Sequence, residues 1–284
     1  MAYRSSWMTE ELDVFRDQFR KYLAKDLAPH AEKWREQKMV DRFAWRGIGE
    51  MGALLASVPE EYGGLGATFA YDAAVLEDLE STVPELTTGV SVHSAIVAHY
   101  ILNYGSEEQK KRWLPKLSSG ELVAAIAMTE PGAGSDLAGI RTTAEDKGDH
   151  FLLNGSKTYI SNGINSDVVI VAAKLAGAEK KHAMVLLIVE RGMEGFERGR
   201  NLKKMGMQSQ DTAELFFRDV KVPKANVLGK VDGGFYHLMQ GLAEERLIGA
   251  CGNIAAARYA LELTKDFVRQ RKVFGKPLSK MQNT

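Results

Sequence analysis

Residues 127–136 read Ala-Met-Thr-Glu-Pro-Gly-Ala-Gly-Ser-Asp and follow an apolar, strand-like run over residues 122–128. The proline and the two glycines predict a turn at the end of that strand. Glycine lets backbone N–H groups approach a ligand closely, and the hydroxyls of Thr129 and Ser135 add hydrogen-bond donors. Taken alone, the stretch is more typical of an ordinary turn than of a binding loop.

A second glycine-containing stretch lies further along the chain. Residues 154–163 read Asn-Gly-Ser-Lys-Thr-Tyr-Ile-Ser-Asn-Gly, which predicts a turn, a short strand and a second turn. On its own, this stretch also fits an ordinary hairpin loop.

The spacing of apolar residues changes twice along the chain. Between about residues 9 and 118, apolar residues recur at helical spacing. Between residues 121 and 222, short apolar runs alternate with turn residues, which predicts a compact antiparallel sheet or barrel. Helical spacing returns at Gly233 and is expected to continue to the end. This order predicts an α+β fold rather than a doubly wound sheet.

We expect three units along the chain. They are an N-terminal helical domain over residues 1–120, a central antiparallel β domain over residues 121–228, and the first part of a C-terminal helical domain over residues 229–284. A glycine-rich loop at residues 59–66 and the imidazole of His93 are expected to serve as a turn and a packing element.

Composition excludes several classes of protein. Thirty-seven basic residues balance thirty-seven acidic ones, so no net charge favours nucleic acid or an anionic membrane. The apolar runs are too short to span a bilayer, and the single Cys251 excludes an internal disulfide and a cysteine-based metal cluster. Residues 1–20 mix acids and bases, unlike a secretory or transit peptide. We therefore expect a soluble cytoplasmic protein of a bacterium, with the mitochondrial matrix as the alternative only if a transit peptide was removed.

The common nucleotide and hydrolase motifs are missing from the sequence. There is no Gly-x-Gly-x-x-Gly after a strand, no phosphate loop ending in Gly-Lys-Ser/Thr, no His-Glu-x-x-His pair and no Gly-x-Ser-x-Gly elbow. A nucleotide cofactor would therefore have to bind by another route.

Four segments, taken in order, resemble the acyl-CoA dehydrogenase family. The matching segments are residues 129–136 with Gly139, residues 157–163, residues 205–206 with 211–217 and 220–223, and residues 271–278 with Gln282. The likeness is strongest to the long-chain branch of the family. It implies N-terminal helices, a central β domain and a C-terminal helical bundle that continues beyond residue 284, so that this chain is expected to be truncated within the bundle.

The resemblance implies an FAD cofactor. In the family, the first segment binds the pyrimidine edge of the flavin, here through Met128 and Thr129, and Ser135 contacts the flavin phosphate or the substrate. The second segment places an aromatic ring beside the isoalloxazine and a hydroxyl near N5, here Tyr159 and Ser161. The complete set implied for the cofactor is Ile126, Met128, Thr129, Gly134, Ser135, Tyr159, Ile160, Ser161, Arg271, Phe274 and Gln282.

The last three residues of that set resemble residues that reach the flavin of a neighbouring subunit. The resemblance therefore implies at least a dimer, as a homodimer or homotetramer of the complete protein. It also implies that the apolar face carrying Leu238, Leu242 and Ile248 would lack part of its cover in this chain and be prone to association.

Glu245 lies on an otherwise apolar helical stripe. A glutamate in this position is expected to be desolvated, which raises its pKa and makes it a candidate base. From spacing alone, a structural ion pair with Arg246 or with a remote arginine is the commoner role. The stripe consists of Phe235, Leu238, Leu242, Glu245 and Gly249.

The resemblance favours the catalytic role for Glu245. Some family members carry the base near their carboxyl end, whereas the long-chain and isovaleryl branches carry it on this helix, directly before an arginine. Residues 244–247, Glu-Glu-Arg-Leu, resemble the second pattern. The residues implied for substrate binding are Ser135, Leu242, Ala243 and Arg246.

The implied reaction is FAD-dependent α,β-dehydrogenation of an acyl-CoA thioester, as in fatty-acid β-oxidation. Glu245 would remove the α proton while a hydride passes to flavin N5, and an electron-transfer flavoprotein would accept the electrons. Two alternatives remain: an acyl-CoA oxidase or flavin monooxygenase of the same fold, and an inactive fragment without the full flavin site.

Overall fold

The computed structural model describes residues 5–180 and 182–282. As predicted, its N-terminal part is helical up to Ser118. The helices are α1 (Glu10–Tyr22), α2 (Ala31–Gln37), α3 (Arg42–Glu50), α4 (Phe69–Thr82), α5 (Thr87–Val90), α6 (Ala98–Tyr104) and α7 (Glu107–Ser118). A π-helical segment, Ser91–Val97, joins α5 to α6, and we call the continuous unit the 87–104 helix.

Local sequence signals explain where these helices begin. The hydroxyl of Thr9 caps α1, and the side chains of Ser106 and Gln109 cap α7 reciprocally with the backbone. The helices pack around large side chains that are almost completely buried, among them Trp34, Trp45 and Trp113. The glycine-rich loop at residues 59–66 contains only the short 3₁₀ turn Glu60–Tyr62, so it is the turn element that was predicted.

The central domain is one sheet with mixed strand pairing. Its strands are β1 (Ala124–Ala127), β2 (Thr143–Asp146), β3 (His150–Ser161), β4 (Val168–Leu175), β5 (Met184–Glu190), β6 (Phe196–Asn201), β7 (Thr212–Pro223) and β8 (Val227–Leu228). They pair in the order β6-β7-β3-β2-β4-β5-β8, with β1 added beside β4. The α+β class is confirmed, but the pairing is not wholly antiparallel, because β1 and β2 both run parallel to β4.

Strands β4 and β5 are buried on both faces. Val169 and Val171 face the interior of the β domain, whereas Val168 and Ile170 pack against the helical core. A strand that is covered on both sides reads as a continuous apolar run rather than as an alternating pattern. This explains why both strands were visible as apolar runs in the sequence.

The second glycine-containing stretch differs from its prediction. Residues 154–161 belong to the continuous strand β3, which pairs with β7, and the turn begins only at Asn162. The predicted first turn is instead an irregularity in the β3–β7 register near Gly155, whose φ is +146°. Gly155 is required there because an added Cβ would lie 2.5 Å from Thr142 Oγ1.

A single long helix, α8 (Gly234–Gln270), follows the sheet. The prediction that helical structure continues to the end is wrong over residues 272–277, which form a hairpin of β9 (Lys272–Val273) and β10 (Lys276–Pro277). Phe274 and Gly275 both have positive φ, which is the backbone geometry of a tight hairpin turn. None of the helices in the described ranges is long and apolar enough to cross a membrane.

The covered and uncovered faces of α8 also differ from expectation. Leu238 and Ile248 are fully buried against the N-terminal helices, and Leu242 is half-buried, so that face is covered. The uncovered apolar side chains lie elsewhere around the helix and include Tyr236, Met239, Leu247, Ile254 and Leu261. The sequence assigned the uncovered surface to the wrong face of α8, because apolar residues occupy both the covered and the uncovered face.

Candidate active site

The two glycine-containing stretches lie side by side in the folded chain. The backbone N–H of Thr158 on β3 donates a 2.9 Å hydrogen bond to the main-chain oxygen of Thr129, just beyond the end of β1. The structure therefore brings Thr129 next to the strand that carries Tyr159 and Ser161. The two segments that the resemblance assigns to one cofactor are therefore joined directly through their backbones.

A buried ion pair supports the loop at this edge of the sheet. The Lys157 ammonium group donates 2.9 Å hydrogen bonds to the main-chain oxygen of Met128 and to Glu130 Oε1. The Glu130 carboxylate also accepts hydrogen bonds from the backbone N–H groups of Arg141 and Thr142. Burial lowers the pKa of Lys157 to about 8, although its hydrogen bond to Glu130 opposes that change. These contacts fix the main chain on either side of Thr129.

Tyr159 points out of the sheet at a strained position. Its side chain is 69% exposed and its φ is +59°, and the β3–β7 register shifts between Lys157 and Ile160. A positive φ is costly for an aromatic residue, and such strain tends to occur at functional sites. The bulge thus presents an aromatic face beside Thr129.

The other residues predicted for the first two segments have different degrees of burial. Gly134 and Ser135 are exposed, and a Cβ added at Gly134 would meet no atom within 4 Å, so the space next to the loop is open. Ile126, Met128 and Ser161 are half-buried. The Ile160 side chain lies in the core of the sheet, which leaves only its backbone for contact with a ligand.

The residues predicted to reach a neighbouring subunit lie after α8. Arg271 ends that helix, Phe274 is 94% exposed at the tip of the β9–β10 hairpin, and Gln282 is also exposed. No hydrogen bond joins them to Thr129 or Ser135 within residues 5–180 and 182–282. Among the described residues they therefore have no hydrogen-bonded link to the loop of the same chain.

Glu245 lies on the face of α8 that packs against the 87–104 helix. The Tyr100 hydroxyl donates a 2.8 Å hydrogen bond to Glu245 Oε1, and both side chains line a small cavity of about 50 Å³. Burial raises the pKa of the Glu245 carboxyl, and the hydrogen bond from Tyr100 opposes that rise. The predicted desolvation is confirmed. The structural ion pair that spacing favoured is absent from the described residues, because neither Arg246 nor a remote arginine pairs with Glu245 there.

The neighbouring Glu244 has a different set of partners. His99 Nδ1 lies 3.0 Å from Glu244 Oε1, and His99 Nε2 lies 3.0 Å from the hydroxyl of Ser57. Beyond Ser57, burial raises the pKa of Asp72, while the side-chain hydrogen bond with Ser57 opposes the rise. The two adjacent glutamates are therefore distinguished by environment: Glu244 faces an imidazole and Glu245 faces a phenol.

A larger cavity of about 600 Å³ lies further along the two helices that form the small one. The 87–104 helix contributes Thr88 and Val92, and α8 contributes Gly249 and Gly252, which come one and two turns after Glu245. Because glycine has no side chain, this stretch of α8 leaves room between the helices. Glu245 thus lies along a groove with open space on the side of Gly249.

His93 is a packing element, as predicted. Its ring is fully buried, Nε2 lies 2.9 Å from the main-chain oxygen of Leu117, and the backbone N–H of Ala124 donates to Nδ1. Burial lowers the pKa of His93 to about 4, so the ring is neutral near pH 7. Within the described residues, no cluster of His, Cys, Asp or Glu could hold a metal ion.

The sequence analysis included Lys157 and Glu130 in the matching segments but assigned neither a role, and it did not identify Tyr100 at all. A lysine within a predicted strand, together with a glutamate in the preceding loop, is a signal that could have been used. Tyr100 gives no such signal, because an aromatic residue on a helix face is normally core. Its contact with α8 is visible only in three dimensions.

Family comparisons match nearly the whole chain. Residues 9–121 match the description "Acyl-CoA dehydrogenase, N-terminal domain", residues 125–220 the "middle domain" and residues 232–284 the "C-terminal domain".

Individual relatives give the same result. The long-chain specific acyl-CoA dehydrogenase of mitochondria from Sus scrofa is 44% identical over 276 residues, which cover 96% of this chain and 64% of that protein. An acyl-CoA dehydrogenase structure from Geobacillus kaustophilus has a TM-score of 0.94 at 48% identity and covers 98% of this chain and 73% of the other. An acyl-CoA dehydrogenase from Bacillus anthracis complexed with FAD has a TM-score of 0.91 at 31% identity, covering 98% and 48%. The chain spans just under two thirds of the length of its long-chain relatives.

Proposed function

The chain belongs to the acyl-CoA dehydrogenase family, and from this premise we propose that it carries the flavin loop and the base of an FAD-dependent acyl-CoA dehydrogenase. The proposed reaction is α,β-dehydrogenation of an acyl-CoA thioester, of the fatty-acid β-oxidation type. The observation that carries this proposal is the half-buried carboxylate of Glu245, whose pKa is raised by burial, in a groove between two helices.

The residues at the edge of the sheet fit a flavin. A flavin needs a flat apolar surface beside its ring system and hydrogen-bond donors along its polar edge. The exposed ring of Tyr159 offers the surface, and the hydroxyls of Thr129, Ser135 and Ser161 offer donors. The open space at Gly134 leaves room for close approach. When bound, FAD supplies an acceptor for the hydride that leaves the β carbon of the substrate.

The proposed role of Glu245 is to accept the α proton. A carboxylate can do so only when ionised, and a pKa raised by burial makes it a stronger base once it is ionised. The hydrogen bond from Tyr100 engages Oε1, which leaves Oε2 for the proton. The proton therefore moves from the α carbon to Glu245 while the electron pair of the β C–H bond leaves as hydride.

The proposed substrate contacts lie along the same groove. We propose that the acyl group occupies the 600 Å³ cavity beside Gly249 and Gly252, and that Ser135, Leu242, Ala243 and Arg246 contact the substrate. Arg246 is exposed next to the base, where its positive charge suits an anionic part of a CoA ester.

The remaining parts of the proposal concern partners and location. An electron-transfer flavoprotein is the proposed acceptor of the electrons, and the complete protein is a proposed homodimer or homotetramer. The exposed Phe274 at the tip of the β9–β10 hairpin supports a contact with another subunit. The proposed location is the cytoplasm of a bacterium, with the mitochondrial matrix as the alternative.

The test is anaerobic bleaching of the flavin by acyl-CoA in the protein at its full length. We expect Glu245→Gln to abolish bleaching while the flavin stays bound, because the amide cannot accept the α proton. Glu244→Gln is the matched control and is expected to bleach within severalfold of the parent. Near-normal bleaching by Glu245→Gln would show that another residue is the base.

A further inference from the structure

We propose that Tyr100 is the positioning residue for Glu245: its hydroxyl fixes one oxygen of the base and favours the ionised carboxylate. This inference rests on the proposed function, because it assigns a partner to the base of the same site. Tyr100 belongs to none of the four matching segments, and only the fold brings it to α8.

 In the chain, Tyr100 and Glu245 are 145 positions apart, and the packing of the 87–104 helix against α8 joins them.

The geometry of the contact is that of a well-formed hydrogen bond. The Tyr100 side chain is 3% exposed, and its hydroxyl oxygen lies 2.8 Å from Glu245 Oε1, within the usual range for a hydroxyl donor. In the part of the chain that the structure describes, no other side chain donates a hydrogen bond to this carboxylate. The hydroxyl also lies 3.4 Å from the main-chain oxygen of Leu238, which is the longer of its two contacts.

The helix α8 makes room for this hydroxyl. A Cβ added at Gly241 would lie 2.4 Å from the Tyr100 hydroxyl oxygen and 2.7 Å from Cζ. Gly241 comes one helical turn before Glu245, so the two residues share a face of α8. Glycine weakens a helix interior, and the fit of the Tyr100 hydroxyl against α8 gives a specific reason for its presence there.

The charged and titratable groups around Glu245 leave Tyr100 as its main stabilising contact. Burial is the largest influence on the carboxyl and raises its pKa, and the hydrogen bond from Tyr100 is the largest influence in the opposite direction. On α8 itself, Arg246 also lowers the pKa and Glu244 raises it. Other elements pack against this part of α8 and contribute further polar groups. The 87–104 helix contributes His99, Tyr100 and Tyr104, and Ser57 and Asp72 lie behind His99.

The first experiment measures the protonation of Glu245 directly. Tyr100→Phe keeps the ring and removes only the hydroxyl. In protein labelled with ¹³C at the glutamate carboxyl, the Glu245 signal is assigned by its loss in Glu245→Gln and followed against pH. We expect Tyr100→Phe to favour the protonated carboxyl by about tenfold, which is the lower end of the range for a lost hydrogen bond to a charged group.

Two further variants serve as a control and as an independent check. Tyr104→Phe removes a neighbouring hydroxyl that contacts Gln240 rather than Glu245, and it is expected to leave the titration unchanged. Gly241→Ala places a methyl group against the Tyr100 hydroxyl and is expected to move the titration in the same direction as Tyr100→Phe. An unchanged Glu245 titration in Tyr100→Phe would overturn the inference.

The second experiment follows flavin bleaching by acyl-CoA against pH. Because a more readily protonated base is ionised only at higher pH, the acid limb of the profile is expected to move to higher pH in Tyr100→Phe, with about tenfold slower bleaching on that limb and an unchanged plateau. Normal bleaching by Glu245→Gln would overturn the proposed function and, with it, the role of Tyr100. Loss of bleaching in Glu245→Gln together with a parental profile in Tyr100→Phe would overturn only the role of Tyr100.

Discussion

Lys157 on β3 donates a 2.9 Å hydrogen bond from its ammonium group to the main-chain oxygen of Met128, just beyond the end of β1. The same ammonium group pairs with Glu130, and both side chains are buried. Two strands that are not neighbours in the order of the sheet are thereby tied together at the loop of residues 129–136. The loop owes its shape to this cation as well as to its proline and glycines.

The first prediction concerns that cation. Lys157→Met is expected to lower the free energy of unfolding by about 3 kcal/mol, because it leaves the buried Glu130 carboxylate without its counter-ion. It is also expected to weaken FAD binding, since Met128 and Thr129 lose their support. Urea unfolding and a flavin titration measure the two effects.

A suitable control for Lys157→Met is Lys147→Met, which removes an exposed ion pair with Glu145. Exposed pairs contribute little, so the control is expected to stay within about 1 kcal/mol of the parent. The double variant Lys157→Met with Glu130→Gln is expected to recover part of the loss. Parental stability and FAD affinity in Lys157→Met would contradict the supporting role.

The second prediction separates strain from cofactor contact at Tyr159. Tyr159→Gly relieves the positive φ but increases the entropy of the unfolded chain, so the free energy of unfolding is expected to stay within about 0.5 kcal/mol of the parent. FAD affinity is expected to fall by about tenfold, because the exposed ring is the proposed stacking surface. Fluorescence titration with FAD measures the loss.

Tyr159→Phe is the matched control, since it retains the ring and the backbone strain. It is expected to bind FAD within severalfold of the parent. Equal FAD affinity in the parent and in Tyr159→Gly would show that the ring does not contact the flavin.

The sequence predicted the order of the helical and β segments and the desolvation of Glu245, because each depends on the local spacing of apolar residues. It did not predict the irregular β3 strand, since a glycine that marks a turn and one that marks a shift in register look alike in sequence. It also misjudged α8, where apolar residues lie on more than one face of the helix. Tyr100 could not be found at all, because its role depends on a contact between residues far apart in the chain.

The third prediction concerns the buried imidazole of His93 and acid stability. Burial lowers the pKa of His93 in the folded protein to about 4, whereas an unfolded histidine titrates near 6.5. The unfolded chain therefore binds the extra proton first, so stability is highest above about pH 6.5 and falls as the pH approaches 4. This one group is expected to contribute a loss of about 3 kcal/mol across that window.

His93→Gln tests this contribution. Glutamine retains a donor and an acceptor for Leu117 and Ala124 but has no proton to gain, so the variant is expected to be less stable at pH 7 and to lose less stability between pH 6.5 and 4. Other titrating groups, such as the buried Asp72, act equally in parent and variant and cancel in the difference. Urea unfolding at several pH values measures that difference. Identical slopes for His93→Gln and the parent would contradict the assignment, because the slope difference reports the protons that His93 alone takes up on unfolding.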